Sequence, residues 1–139
     1  MKILVLGKGK TGSLVAEIAR RRGHDARAVG SAENVDGAAV SAEALRDVDV
    51  AVDFTSPSAV IPNVEACFRA GKSVVIGTTG WYDELSRVRE LAEFSNVGCV
   101  FVANFSVGVN LFFEIARVGA AALTLGYVGQ MIERHHVQK

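Results

Sequence analysis

The chain has 139 residues, half of them hydrophobic, and its fifteen basic side chains balance fifteen acidic ones. That length suits one domain with a real core, and that apolar content excludes a disordered chain. The zero net charge argues against nucleic acid or a membrane surface as partner, since either favours a basic excess.

"KILVL" (Lys2 to Leu6) is a short apolar run that predicts a strand buried on both faces. Its four apolar residues are too few for the core of a secretory signal, so the cytoplasm is the expected location. "TGSLVAEIARRRG" follows, with Leu14, Val15, Ile18 and Ala19 at helical spacing and Gly23 placed to end the helix. "ARAVG" (Ala26 to Gly30) reads as a second strand, and Ser31 to Ser41 as loop. "DVAVDF" (Asp49 to Phe54) is a third strand. "SPSAVIPNVEACFRAG" predicts a helix that carries Pro62 in its first turn and stops at Gly71. "SVVIG" is a fourth strand, "YDELSRVRELAEF" an amphipathic helix, and "CVFVA" (Cys99 to Ala103) a fifth strand. Cys67 and Cys99 lack metal-ligand spacing and are expected reduced, one on a helix and one on a strand.

Short apolar strands alternating with helices predict an α/β fold, a doubly wound (Rossmann-type) parallel sheet with helices on both faces. After Ala103 the rhythm changes. "VGVNLFFEIARVGAAALTLG" predicts a long apolar helix (about Val107 to Leu125), and "YVGQMIERHH" a strand (about Tyr127 to His135). No apolar run approaches about 18 residues without polar interruption, so no membrane span is expected. We place a boundary near Phe105. Residues 1–105 read as a dinucleotide-binding domain. Residues 106–139 read as the truncated start of a second α+β domain, too small for its own core.

"GKGKTG" places Gly7, Gly9 and Gly12 in a G-x-G-x-x-G pattern directly after a strand and at the opening of a helix. Glycines there permit a tight turn and close approach of backbone to a pyrophosphate, and the helix terminus offers N–H groups. Lys8 and Lys10 add positive charge, and Thr11 lies in the same turn. The P-loop spacing is not met. An acidic ribose reader is expected about 20 residues on, where Ser31 occupies the tip and Glu33 lies close by. NAD and NADP both stay open. "DFTSP" and "GTTG" stand at the carboxyl ends of strands, where ligands bind in open α/β sheets. This makes Phe54, Gly77, Thr78 and Thr79 candidates. "ANFSVGVN" joins the two parts and could line the cleft with Asn104 and Phe105. In "HHVQK", histidines can exchange protons near neutral pH and a lysine can hold a carboxylate, so His135, His136 and Lys139 are candidates for chemistry. Adjacent histidines seldom converge on one ion, so zinc is a poor alternative.

Together, "GKGKTG", "DFT", "GTTGW", "ANFSVGVN" and "ERHHVQK" resemble the dihydrodipicolinate reductase family over the whole chain. The resemblance implies NAD(P)H-dependent reduction of a small cyclic dicarboxylate in diaminopimelate–lysine biosynthesis, with NADPH or NADH as cofactor and a homo-oligomer as the working form. It assigns Gly7 to Gly12 to the pyrophosphate. It assigns Phe54, Gly77, Thr78, Thr79 and the stretch Val102, Ala103, Asn104, Phe105 to the nicotinamide side. It implies His135 as acid/base residue, His136 and Lys139 as substrate-binding residues, and a proton delivered from the His135/Lys139 region. It also implies that the chain stops within the family's HH-x-x-K motif. The alternative from another class is an NAD(P)-sensing or assembly module without catalysis, since fold alone does not separate the two.

Overall fold

Leu4, Val5 and Leu6 are sealed from solvent at the centre of a parallel sheet, as their unbroken apolar run requires. The computed structural model describes residues 1–132 and Arg134. The strands β1 (Lys2–Leu6), β2 (Asp25–Val29), β3 (Val50–Asp53), β4 (Ser73–Ile76) and β5 (Cys99–Phe101) lie in the order β2-β1-β3-β4-β5, all parallel. The register sets Leu4 beside Arg27 on one side and Ala51 on the other. β1 is therefore flanked by its sequence neighbour on one side and by β3 on the other. The strand order reverses there, and a crevice opens at the strands' carboxyl ends.

Helices α1 (Lys10–Arg21), α2 (Ala42–Leu45), α3 (Pro57–Arg69) and α4 (Leu85–Ser95) connect the strands. Leu45, Val60, Val64, Phe68 and Val88 pack with Leu6, Val74, Ile76 and Trp81 into one core. Each such fully buried side chain contributes roughly 1.5–3 kcal/mol.

Four local readings are corrected. On α1 the buried face is Gly12, Ala16 and Ala19, while Leu14 and Ile18 are 52% and 38% exposed. Small side chains win the inner face because α1 approaches β1 closely at Gly12. In α3 the first helical position belongs to Pro57, and Pro62 sits in the interior. Proline suits the first position because no N–H is needed there. The segment after β2 is not all loop. It holds a 3₁₀ turn (Val35–Val40), kinked where Asp36 and Gly37 take positive φ of 50° and 77°. Then comes α2, capped by Ser41 Oγ accepting the Ala44 N–H at 3.2 Å. The fourth correction concerns the expected strand from Tyr127. Residues 127–132 form no regular element. A strand needs a partner for its backbone groups, and no other strand is described in that part of the chain.

The chain divides into two compact units, Met1–Ala103 and Asn104–Lys139. The second contains α5 (Val107–Ala120), continued by a 3₁₀ turn (Ala121–Leu125) and ended at Gly126, whose φ is 86°. Leu111, Phe112, Phe113 and Ile115 are exposed along it. The helical run Val107–Leu125 has 19 residues and is long and apolar enough to cross a membrane by length and composition. The sequence reading did not anticipate this. The run carries Glu114 and Arg117, paired at 2.6 Å.

Candidate functional site at the carboxyl ends of β1, β3 and β4

The three glycines after β1 do different work. Gly7 has φ +101°, and a Cβ there would stand 2.1 Å from the Phe54 carbonyl oxygen. A Cβ on Gly12 would stand 2.0 Å from the Gly7 carbonyl oxygen, so α1 can begin against the loop only as glycine. Gly9 is different: a Cβ there would meet nothing within 4 Å. Packing does not require that glycine. The space it leaves is the approach a backbone-hugging phosphate needs. Gly9 caps α1, and the first-turn amides of Lys10, Thr11 and Gly12 have no acceptor within the helix. They carry the positive end of the helix dipole. Ser13 Oγ donates to the Lys8 carbonyl at 3.0 Å and Gly7 N–H to the Val29 carbonyl at 2.8 Å, which pins the loop from both sides.

At the end of β2, Ser31 is exposed, and Glu33 reaches back to accept the Gly30 N–H at 2.6 Å. Its other oxygen pairs with the Lys8 ammonium. The Lys8 bond first, then the Gly30 N–H, hold the Glu33 carboxyl below the usual carboxylate range. The pair joins the glycine loop to the tip of β2. Arg27 Nη2 donates to the Ala44 carbonyl at 3.1 Å.

Below the opposite lip lies Asp53, fully buried at the end of β3. Its carboxylate accepts from the Thr55 N–H and hydroxyl, the Thr78 hydroxyl and the Asn63 amide. Gly77 is needed because the Phe54 ring lies over it: a Cβ would stand 2.1 Å from a ring carbon. Beyond it Gly80 turns with φ +83°, and the buried Trp81 donates Nε1–H to the Thr78 carbonyl at 2.8 Å. Trp81 packs edge-on to Phe101, with ring centroids 5.6 Å apart. The "GTTGW" loop is thus locked by its own tryptophan.

Two adjoining cavities follow these lips. One of about 530 Å³ runs past Gly7, Gly9, Gly30, Ser31, Asn34 and Phe54. The other, about 370 Å³, runs past Gly9, Lys10, Thr11, Gly77, Thr78 and Thr79. Gly9, Phe54 and Thr55 line both, so they form one groove bent over the helix terminus. A larger cavity of about 800 Å³ lies between the 34–42 segment and α3. The glycine loop does not reach it, and the convergent amides favour the groove as the site.

The structure therefore brings together Gly7, Lys8, Gly9, Lys10, Thr11, Gly12, Ser31, Phe54, Gly77, Thr78 and Thr79 along one groove. Val102 N–H donates to the Ile76 carbonyl at 3.4 Å, which sets the Val102–Ala103 stretch beside the end of β4. Asn104 and Phe105 open the second unit. There Asn104 Oδ1 accepts the Ser106 N–H at 2.8 Å, and Ser106 Oγ caps α5 through the Val109 N–H. Asn110 Nδ2 donates to the Asn104 carbonyl at 2.9 Å. Much of "NFSVGVN" is thus helix-capping chemistry. His135, His136 and Lys139 lie outside the described residues. Sequence reasoning missed Asn34, Asn63 and the locking role of Trp81. The available signal was an aspartate ending an apolar strand, which needs donors from elsewhere once buried.

Comparison with known proteins agrees with this geometry. The family model described as dihydrodipicolinate reductase, N-terminus, matches residues 1–105. The 4-hydroxy-tetrahydrodipicolinate reductase of Christiangramia forsetii is 35% identical over 145 residues, covering 100% of this chain and 57% of its own. That of Thiobacillus denitrificans is 45% identical over 118 residues, covering 84% of this chain and 44% of its own. The chain thus spans about half the length of these relatives. Among solved structures, a dipicolinate-bound dihydrodipicolinate reductase from Paenisporosarcina aligns with a TM-score of 0.65 and 26% identity, over 87% of this chain and 54% of that one. A Synechocystis biliverdin reductase, in complex with biliverdin and NADP+, aligns with a TM-score of 0.57 and 19% identity over 93% of this chain and 44% of that one, a likeness of fold alone. The glycine loop, the switch-point groove and the matched residues agree: this chain belongs to the dihydrodipicolinate reductase family.

Proposed function

We propose that the chain is the dinucleotide-holding part of an NAD(P)H-dependent 4-hydroxy-tetrahydrodipicolinate reductase of the diaminopimelate–lysine pathway. The observation that carries this is Gly9, whose missing side chain leaves open space beside the unbonded first-turn amides of α1. When bound, the nicotinamide cofactor supplies the hydride. The amides of residues 10–12, with Lys8 and Lys10, hold the pyrophosphate. Ser31 and Glu33 face the adenosine ribose. Phe54, Gly77, Thr78 and Thr79, with Val102 to Phe105, flank the nicotinamide. His135 and Lys139 deliver the proton, and His136 and Lys139 hold the carboxylates of a small cyclic dicarboxylate. The dipicolinate in the Paenisporosarcina reductase supports that substrate class. Family membership counts against the sensing or assembly alternative.

Residues 1–105 act as the dinucleotide domain, and 106–139 open a substrate and oligomerisation domain. The protein works in the cytoplasm as a homo-oligomer, without nucleic-acid or membrane partners. Replacing Gly9 with Val fills the open space. NADH and NADPH binding should then be lost while far-UV circular dichroism stays unchanged. Unaltered affinity in that variant would remove the groove from the account.

A further inference from the structure

Among the described residues, the buried polar side chains are Asp53, Asn63 and Thr78, and all three belong to one hydrogen-bonded chain beneath the groove. That chain has a direction. Ala39 N–H donates to Asn34 Oδ1 at 3.0 Å, and a backbone N–H can only donate, so this end is fixed. Asn34 Nδ2 therefore donates to Asn63 Oδ1 at 3.3 Å, and Asn63 Nδ2 to Asp53 Oδ2 at 2.9 Å. At the other end the Thr55 N–H donates to Asp53 Oδ1 at 3.1 Å and to Thr78 Oγ at 2.8 Å. The Thr78 hydroxyl, accepting there, sends its own proton to Asp53 Oδ1 at 2.7 Å, as does the Thr55 hydroxyl at 2.7 Å.

Both ends are thus backbone donors, and every bond between them runs toward residue 53. Only a side chain that accepts at both of its polar atoms can close such a chain. A carboxylate does so and a carboxamide does not. The chain also spans the groove. Asn34 and Asn63 line the half beside Ser31, and Thr55 and Thr78 line the half beside Gly77. We propose that Asp53 is a positioning residue for dinucleotide binding: the common acceptor that holds the two halves of the groove in register. The proposal rests on the reading that this groove holds a dinucleotide.

The test is a swap. Asp53→Asn turns one acceptor into a donor, which either leaves the fixed Ala39 N–H unpaired or takes from the Thr55 N–H one of its two acceptors and turns the threonine hydroxyls to the longer bonds at the Asp53 and Ser56 carbonyls, 3.4 and 3.5 Å. Asn63→Asp alone sets two carboxylates face to face. The double variant Asp53→Asn with Asn63→Asp reverses a single bond and satisfies every partner at the same net charge. NADH affinity by calorimetry and amide exchange at Ala39 and Thr55 without nucleotide are measured on the full chain. Each single variant should bind NADH at least about tenfold more weakly and exchange faster at one of the two amides. The double variant should return both readouts to near wild type, which a requirement for size or charge at position 53 alone would not produce. If the single variants do not fold, a folded double variant with wild-type exchange supports the proposal and an unfolded one overturns it. A swap no better than the single variants overturns it too. Wild-type binding matched by Asp53→Asn overturns the role of Asp53 alone. A wild-type chain that binds no nucleotide overturns the dinucleotide reading itself.

Discussion

Gly7 and Phe54 meet backbone to backbone: the Phe54 N–H donates to the Leu6 carbonyl at 2.8 Å, and the space above Gly7 is filled by the Phe54 carbonyl. The glycine loop and the "DFT" loop are therefore built against each other. A side chain on Gly7 would oppose both the contact and the positive φ. Gly7→Ala should lower stability by at least about 1–3 kcal/mol from backbone strain alone, and binding should fall with it. Chemical denaturation checks this. Gly9→Val provides the contrast, with loss of binding at a cost in stability of about 1 kcal/mol for the lost glycine N-cap, because its side chain would otherwise enter open space.

The Lys8–Glu33 pair sits where the adenosine ribose is expected and is exposed on both sides. A carboxylate there repels a 2′-phosphate and accepts from a 2′-hydroxyl, while the ammonium does the opposite. Glu33→Gln should shift the ratio of affinities toward NADPH, and Lys8→Met toward NADH, each by roughly tenfold. Parallel titrations of the two nucleotides read the ratio directly. Equal ratios in all three proteins would place the ribose elsewhere.

Cys67 is fully buried on α3, and burial first, then the nearby Asp53 charge, push its thiol up to about 12. A group raised in the folded state loses its stabilising contribution as pH climbs. Below the unfolded value, about 9, the contribution is complete. From there toward 12 the unfolded chain ionises while the folded chain does not, so stability falls by about 1.4 kcal/mol per pH unit. Denaturation midpoints should decline above pH 9. In Cys67→Val that part of the slope should vanish. The half-buried Cys99 is raised too, by burial, and should react first with a thiol reagent.

Among the described residues β5 is one of the sheet's two edge strands, with Val100 52% exposed, and α5 carries exposed Leu111, Phe112, Phe113 and Ile115. Apolar surface of this kind and open edges favour association. Light scattering at micromolar concentration should give a mass well above the 14.7 kDa of one chain. Leu111→Glu should reduce it. A stable monomer in the parent chain would contradict the proposed assembly.

The strands could be read in the sequence because a sheet buried on both faces demands unbroken apolar runs, and "ILVL", "VAV" and "VVI" offer nothing else to do. The glycine loop could be read because spacing and context coincide. Other features depend on distances that sequence does not carry. The burial of Ala16 rather than Leu14 follows from how closely α1 approaches β1. Glu33 folds back onto the Gly30 N–H, three residues away, and so lies beside the tip that the linear count gave to Ser31. The Asp53 chain joins residues from four segments, and only the fold makes Asn34 and Asn63 neighbours of "DFT". Pro62 looked like a helix start because proline favours that position, yet Pro57 was the proline that occupied it.

The measurement that most directly tests the central claim is calorimetric titration of the chain with NADH and NADPH in parallel. The account predicts saturable binding of at least one, at one site per chain, abolished by Gly9→Val. A folded chain that binds neither would contradict it, and the groove at the switch point would then be a feature of the fold without its ligand.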